Sequence, residues 1–165
     1  MKIKSLSLHD YDDIVGIGLL FYDYFIERHG DILVGTKEDT IKAIEELLNY
    51  NNFIYYVIDD SNNDILGFVT ISTNNQFNMI PSHMVVDYMY VVPSARNSKV
   101  TALLFGTIGH VADTLEMDVL GTTMIGSSNI NNAKVVKGEE YGKMYHYKRD
   151  SFKDIYKKYI RRYIE

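Results

Sequence analysis

The residues most able to do chemistry lie between positions 84 and 101, in a stretch that reads as a strand, a tight loop and the start of a helix. The strand at 84–92 is rich in β-branched and aromatic residues, and Pro93 ends it because proline has no N–H for a sheet ladder. A loop that enters a helix N-terminus presents free backbone N–H groups at the positive end of the helix dipole. The sequence therefore predicts an anion site, suited to a phosphate group, at residues 96–101.

One acidic residue, Asp87, interrupts this otherwise apolar strand. A carboxylate in such a strand is costly unless it is hydrogen-bonded or has a function. The alternative is a strand position that faces solvent, where an aspartate needs no special role. The sequence leaves both interpretations open.

The elements that must position these residues follow from hydrophobic periodicity. The helix after the loop is predicted from an apolar stripe at helical spacing, with Ser98 as its N-cap. Upstream, a capping box is predicted at Thr36 and Asp39. The remaining predicted elements are strands at 2–8, 53–58, 65–71 and 118–125, a helix from 9–13 to Gly30, a helix after Thr36 and a short helix from 126.

The C-terminal segment 151–165 combines tyrosines and basic residues with an apolar stripe that indicates an amphipathic helix. Basic residues between tyrosines can bind RNA or anionic surfaces. We favour the alternative, in which this helix packs on its own domain or on a second copy in a homodimer, because amphipathic stripes are usually buried.

Composition narrows the classes of function. The 165 residues suggest a single domain, 1–165, and the absence of cysteine excludes disulfides, cysteine nucleophiles and thiolate metal sites. Neither His83 nor His110 pairs with acidic residues at metal-ligand spacing, so no metal is predicted. No apolar run reaches the length of a membrane span and no signal-peptide pattern is present, so a cytoplasmic location is expected.

The charge is unevenly distributed along the chain. Residues 143–165 carry a net charge of +5 and residues 1–142 a net charge of −10. An acidic body disfavours nucleic acid as a partner and favours a cationic small molecule or peptide amine.

The order strand, Pro-x-x-Arg, loop, helix resembles the central motif of the GCN5-related N-acetyltransferase (GNAT) superfamily. In that family the loop holds the pyrophosphate of acetyl-CoA, and its usual form is Arg or Gln, two residues, Gly, one residue, Gly or Ala. Lys99 and Thr101 stand where the family has small residues, so Lys99 either compensates with its charge or blocks the cradle. The resemblance implies cofactor contacts from Arg96, Asn97, Ser98, Lys99, Val100 and Thr101.

The resemblance covers residues 2–150 and implies an α/β (α+β) fold, a mixed and mostly antiparallel sheet of about six strands flanked by helices. In the family the two central strands splay apart and admit the pantetheine arm between them. Gly67 matches the glycine that lies beside the central strand, and in the family the first two helices form much of the acceptor wall. The candidates to line this wall are Tyr22, Asp23, Glu27 and His29, although such residues more commonly belong to a solvated helix face. The family also implies a final strand near 154–160, where the pattern itself favours a helix.

The resemblance further implies site residues for acetyl transfer. Backbone N–H groups of Met89, Tyr90 and Val91 are expected to bind the thioester oxygen, and Asp87 to be the base or to position a water. Tyr141 is the candidate acid, with Tyr145 next, and Asn129 is a candidate cofactor contact. The implied activity is acetyl-CoA-dependent N-acetylation of a primary amine by direct attack. The alternative is a catalytically degenerate GNAT-like domain that binds a partner or serves a structural purpose.

Overall fold

The computed structural model describes residues 1–29, 35–50, 52–73, 83–96, 99–122, 139–141 and 144–147. The helices in these ranges are α1 (Tyr11–His29), α2 (Lys37–Asn49) and α3 (Lys99–Leu115), and a single 3₁₀ turn spans Pro93–Ala95. The strands are β1 (Lys2–Ser5), β2 (Asn52–Ile58), β3 (Ile65–Ser72), β4 (His83–Val91), β5 (Asp118–Thr122), β6 (Glu139–Tyr141) and β7 (Met144–Tyr147).

All the described strands form one sheet in the order β1-β2-β3-β4-β5-β7-β6. Neighbouring strands pair antiparallel except β4 and β5, which are parallel and are connected through α3. The predicted mixed, mostly antiparallel sheet is confirmed, with seven described strands rather than about six. The additional strands are short, three residues in β6 and four in β7, and such short segments show no clear alternation in sequence.

The sheet carries a separate hydrophobic core on each face. On one face α3 buries the predicted stripe, from Val100 to Ala112, against β2, β3, β4 and β5. On the other face α1 and α2 pack over the sheet, and residues such as Ile17 and Ile44 are fully buried there. The central strands are therefore apolar on both faces, as expected for a sheet between two helical layers.

A capping box begins α2, and a hydrogen bond to β2 holds α1 against the sheet. The predicted capping box forms, since Thr36 Oγ1 accepts the Asp39 N–H and the Asp39 carboxylate accepts the Thr36 N–H at 2.8 Å. Tyr56 is buried in β2, and its hydroxyl donates to Asp13 in the first turn of α1. This bond satisfies a buried polar group and ties α1 to the sheet.

Several predictions lie partly or wholly outside the described residues. Of the predicted strand 118–125, residues 118–122 are described and form β5, whereas the strand predicted at 2–8 lies wholly within the described residues and ends earlier, at Ser5. Ser98 as an N-cap, the short helix from 126 and the helix or strand within 151–165 stay predictions, as does the single-domain organisation. None of the described helices has the length and apolar character needed to cross a membrane.

Candidate active site

Strand β4 changes phase at Asp87. Before this residue Met84 and Val86 pack in the core under α3, whereas after it Met89 and Val91 do so. Side chains of an unbroken strand alternate strictly, so even-numbered and odd-numbered residues cannot share a face. One extra residue must therefore lie between Val86 and Met89.

The register with β3 identifies the extra residue. Tyr88 lies opposite Thr70 and Val86 lies opposite Ile71, which leaves Asp87 without an opposing residue. Asp87 is thus a β-bulge, a feature that bends a strand and redirects a side chain. Because of the bulge, Asp87 and Tyr88 both face the side of the sheet opposite α3, although they are neighbours in the chain.

Two hydroxyl groups of β3 hold the bulge. Thr70 Oγ1 accepts the Tyr88 N–H at 3.0 Å, and the Ser72 hydroxyl donates to the Asp87 carboxylate. Both hydroxyls belong to the face of β3 that also carries Phe68, which packs in the core under α1 and α2. The hydrogen bond with Ser72 therefore places the Asp87 carboxylate on the α1 side of the sheet.

The surroundings of Asp87 suit a base. Burial raises the pKa of the Asp87 carboxyl above its ordinary value, and the hydrogen bond from Ser72 offsets part of this rise. A higher pKa makes the carboxylate a stronger proton acceptor at neutral pH. The side chain is partly buried and hydrogen-bonded, which disfavours the alternative of a solvent-facing strand position. Its role as the base stays a prediction.

The part of β4 after the bulge runs beyond its pairing with β5. In the described part of the chain this pairing extends from His83–Asp118 to Val86–Gly121, whereas β4 continues to Val91. The end of the pairing coincides with the bulge. This edge of β4, residues 87–91 on the β5 side, is called the open edge below.

The direction of the amide groups along the open edge follows from two hydrogen bonds to β3. The Val92 N–H donates to the Leu66 carbonyl at 3.0 Å, and the Tyr88 N–H donates to β3 as described above. Successive amides of a strand point to opposite sides, so the N–H groups of Met89 and Val91 point toward the open edge. The Tyr90 N–H points toward β3, so the Met89 and Val91 amides are the ones that face the open edge, and their binding of the thioester oxygen stays a prediction.

The N-terminus of α3 follows closely after the open edge. Lys99 is exposed, Val100 is fully buried and Thr101 is partly buried. The first turn contains no acidic residue, so no side chain of that turn opposes an anion at the positive end of the helix. The exposure of Lys99 favours the interpretation that it contributes charge rather than filling the cradle. Asn97 and Ser98 lie outside the described residues.

Arg96 connects the open edge to α1. Its Nε donates to the Val91 carbonyl at 3.0 Å, and its terminal nitrogen forms an ion pair with Glu27. The guanidinium also lies 5.5 Å from the centre of the Tyr90 ring, and it holds the pKa of Glu27 below the ordinary value. Both charged side chains are well exposed, so the pair is worth about 1 kcal/mol or less and can open when a stronger anion binds Arg96.

The α1 side of β4 carries an aromatic cluster next to Asp87. Its rings, most of them in edge contact, are Phe21, Tyr24, Phe25, Tyr88 and Tyr90, of which Phe25 and Tyr88 are partly buried and the others buried. Burial raises the pKa of Tyr90, and the Glu27 and Asp23 carboxylates raise it further. The carboxylates of Asp23 and Glu27, one helical turn apart, thus lie near Tyr90 of the aromatic cluster, on the predicted acceptor wall.

The predicted acid, Tyr141, lies several strands away from Asp87. Tyr141 lies on β6, three strands from β4, which corresponds to about 14 Å of sheet at normal strand spacing. Tyr145 on β7 lies opposite Gly121, which in turn lies opposite Val86, so its backbone is nearer to the bulge. The structure therefore does not bring Tyr141 together with Asp87, and it favours Tyr145 over Tyr141 on distance. Asn129 lies outside the described residues.

Gly67 is needed for the close approach of β3 to the end of β4. A Cβ added at Gly67 would lie 2.6 Å from the Tyr90 carbonyl oxygen and 3.2 Å from Val91 Cα, both of them backbone atoms. We expect Gly67→Ala to lower the free energy of unfolding by about 1–3 kcal/mol, because the strand must shift. Urea unfolding with an unchanged m-value measures this loss.

Gly16→Ala is the matched control for that experiment. A Cβ at Gly16 would meet only the flexible end of Ile65, at 2.7 Å from Cδ1, and alanine favours the helix. Equal stability of the Gly67→Ala and native chains would contradict the close approach.

Sequence reasoning missed the contacts that hold the bulge and the partner of Arg96. Thr70 and Ser72 were visible as polar residues at alternating positions of an apolar strand, which is the available signal for the first. The pairing of Glu27 with Arg96 joins residues 69 positions apart, and no local pattern reveals such a contact.

Comparison with known proteins gives a fold and no sequence relative. No protein-family model matches the sequence, and the search of curated proteins finds no match. Among solved structures, an N-acetyltransferase from Staphylococcus aureus Mu50 aligns with a TM-score of 0.71 and 14% identity over 90% of this chain and 99% of that chain. An acetyltransferase (GNAT family) from Bacillus anthracis aligns with a TM-score of 0.67 and 11% identity over 91% of this chain and 96% of that chain.

An aminoglycoside 6'-N-acetyltransferase complexed with coenzyme A aligns with a TM-score of 0.58 and 14% identity, over 74% of this chain and 62% of that chain. At such identities the likeness concerns the path of the backbone and not the activity. The fold anticipated from the Pro-x-x-Arg motif is confirmed: the chain has the fold of the GNAT acetyltransferases.

Proposed function

We propose that this protein is an acyl-CoA-dependent N-acetyltransferase that moves an acetyl group from acetyl-CoA to a primary amine by direct attack. The observation that carries the proposal is the open edge of β4, where the Met89 and Val91 N–H groups face outward between the bulge at Asp87 and the N-terminus of α3. The base at Asp87, the donors at Met89 and Val91 and the anion site at the start of α3 thus follow one another along the chain.

Different residues bind the thioester and the diphosphate of acetyl-CoA. Acetyl-CoA supplies the thioester and the leaving thiolate. The amides of Met89 and Val91 donate to the thioester oxygen and stabilise the negative charge that develops on it. The first-turn amides of α3, together with Lys99 and Arg96, bind the diphosphate.

The chemical step requires the amine to lose a proton. A lysine-like amine has a pKa near ~10.4 in water, so at neutral pH it arrives protonated. Asp87 accepts this proton directly or through one water, and the amine nitrogen then bonds to the carbonyl carbon. The carbon–sulfur bond then breaks, the nitrogen releases its second proton and the thiolate takes one, so that the amide and the free thiol form. Tyr145 and Tyr141, on β7 and β6, are the candidates to give the thiolate its proton, and the proton released by nitrogen replaces it.

The acceptor is a small-molecule or peptide amine that binds on the α1 side of the sheet. Asp23 and Glu27 are exposed and favour a cation there, and the partly buried rings of Phe25 and Tyr88 can add attraction for it. Some proteins of this fold, such as the aminoglycoside 6'-N-acetyltransferase, are named for an aminoglycoside substrate. The net charge of the body, −10 over residues 1–142, supports the same class of acceptor.

A catalytically degenerate binding module is the second candidate. Two observations favour it: Arg96 already has partners in Val91 and Glu27, and Lys99 and Thr101 replace small residues at the anion seat. A degenerate domain would neither bind acetyl-CoA nor release its thiol.

Thermal unfolding with acetyl-CoA separates the two candidates. A ligand present at 100 times its dissociation constant stabilises the folded state by about 2.7 kcal/mol, which is roughly 5–10 °C for a chain of this size. We therefore expect the midpoint to rise with acetyl-CoA, and thiol release to follow when a panel of primary amines is added. Adenosine alone is the control, because it lacks the diphosphate and the thioester. An unchanged midpoint at millimolar acetyl-CoA would favour the binding module.

A further inference from the structure

We propose that Thr70 is a positioning residue, whose hydroxyl fixes the bulge and thereby determines which amides of β4 face the acetyl group. The inference rests on the function proposed above, in which the Met89 and Val91 amides bind the thioester oxygen. It concerns a residue on β3 that contacts neither substrate.

The Thr70 hydroxyl replaces a ladder partner that the bulge removes. Thr70 is fully buried, and its Oγ1 accepts the Tyr88 N–H at 3.0 Å. Tyr88 is the first residue after the bulge, so its N–H is the first donor of β4 in the new phase. Without the hydroxyl this amide would lie in the core region without its acceptor, which folded proteins strongly avoid.

A β4 strand without the bulge would avoid the cost of a Tyr88 N–H that has no acceptor. Shifting β4 by one residue against β3 would restore a regular ladder, but a one-residue shift moves every following side chain and amide to the other side. Met89 and Val91 would then turn their N–H groups to β3, and Tyr90 would turn its N–H to the open edge. Tyr88 would move from the α1 side toward the core under α3, whereas Asp87 would keep its side. The hydroxyl thus holds the two donors in their present directions.

Valine tests this role because it has the size of threonine and favours strands, yet cannot accept a hydrogen bond. A residue present only for packing would tolerate Thr70→Val, whereas a positioning residue would not. Thr70→Ser keeps the hydroxyl and should restore function. Thr107→Val is the matched control, since Thr107 is equally buried in α3 and its hydroxyl bonds only the Leu103 carbonyl of the same helix.

The measurement is the affinity of acetyl-CoA relative to CoA, determined by calorimetry for each chain. The two ligands share the diphosphate and differ in the acetyl group, so their ratio reports the hydrogen bonds to the thioester oxygen. We expect Thr70→Val to reduce the preference for acetyl-CoA by about three- to tenfold, as for the loss of a hydrogen bond or two, with the affinity for CoA nearly unchanged. Thr70→Ser and Thr107→Val should keep the native ratio.

Each outcome has a definite meaning. A native ratio in Thr70→Val overturns the inference and leaves the proposed function standing. Failure of the native chain to bind either ligand overturns the proposed function and the inference with it. Equal affinity of the native chain for both ligands retains CoA binding and overturns the amide assignment, and therefore the inference.

If Thr70→Val does not fold, hydrogen exchange of the native chain and of Thr70→Ser decides. The Tyr88 amide should then be protected in both chains at a level similar to that of the neighbouring core amides of β3. Rapid exchange of the Tyr88 amide in the native chain would overturn the inference.

Discussion

Asp87→Asn is expected to lower kcat by about 10²- to 10⁴-fold, the usual contribution of a general base, while the affinity for acetyl-CoA stays near the native value. The amide keeps the shape of the side chain and can still accept a hydrogen bond from Ser72, but it cannot take a proton from the amine. Steady-state kinetics with the best amine of the panel, together with calorimetry for acetyl-CoA, measures the two quantities separately. Equal turnover of the two chains would remove Asp87 from the mechanism.

The pH profile gives this experiment its control. In the native chain kcat/KM should fall as the pH is lowered through the raised pKa of Asp87, because the protonated carboxyl is no base. Ser72→Ala removes the hydrogen bond that lowers this pKa, so the fall should begin at a higher pH. Asp87→Asn should lack this acid limb. An unmoved limb in Ser72→Ala would assign it to another group.

Arg96→Ala is expected to weaken acetyl-CoA binding by roughly 10- to 100-fold, because one charge-assisted contact with the diphosphate is lost. Calorimetry with acetyl-CoA measures the effect. Raising the ionic strength should reduce the difference between the two chains, since salt screens an exposed charge. Unchanged affinity would mean that the phosphates bind away from Arg96.

Glu27→Gln distinguishes two roles for Arg96. If the guanidinium binds the diphosphate, removing the charge of Glu27 frees it from a competing carboxylate, and the affinity for acetyl-CoA should be equal or higher. If Arg96 acts mainly as a brace between α1 and the end of β4, Glu27→Gln should weaken binding in the same direction as Arg96→Ala. We expect the first result, because the exposed pair contributes little to stability.

The elements that could be predicted from sequence are those with strong local signals. The α3 stripe, the Thr36 capping box and the hairpin of β2 and β3 each depend on residues close together in the chain, and each is confirmed. Strands β6 and β7 were not predicted, because three or four residues show too little periodicity to indicate a strand. The ends of β1 and β4 differ from the prediction by one to three residues, since the last hydrogen bonds of an element fray and local sequence does not determine them.

The residue types of the candidate site could be predicted from the sequence, whereas the directions of its side chains and backbone amides could not. Asp87 was recognisable as an acidic residue in an apolar strand, but its hydrogen bond with Ser72 and the bulge that sets the phase of residues 88–91 depend on the pairing with β3. The direction of the Tyr90 amide follows from the same long-range pairing. The partner of Arg96 depends on how α1 packs over the sheet. These properties arise from tertiary contacts, which residue spacing does not encode.

The two cores on opposite faces of the sheet have a consequence for how the protein can change. The buried residues under α3 and those under α1 and α2 form distinct sets, and Val92 is a partly buried residue that packs against both. Substitutions in one layer should therefore combine additively with those in the other. Under the proposed function, the α1–α2 layer can therefore be redesigned for other amines without disturbing the α3 layer that binds acetyl-CoA. The sheet separates the two layers and lets each be altered by itself.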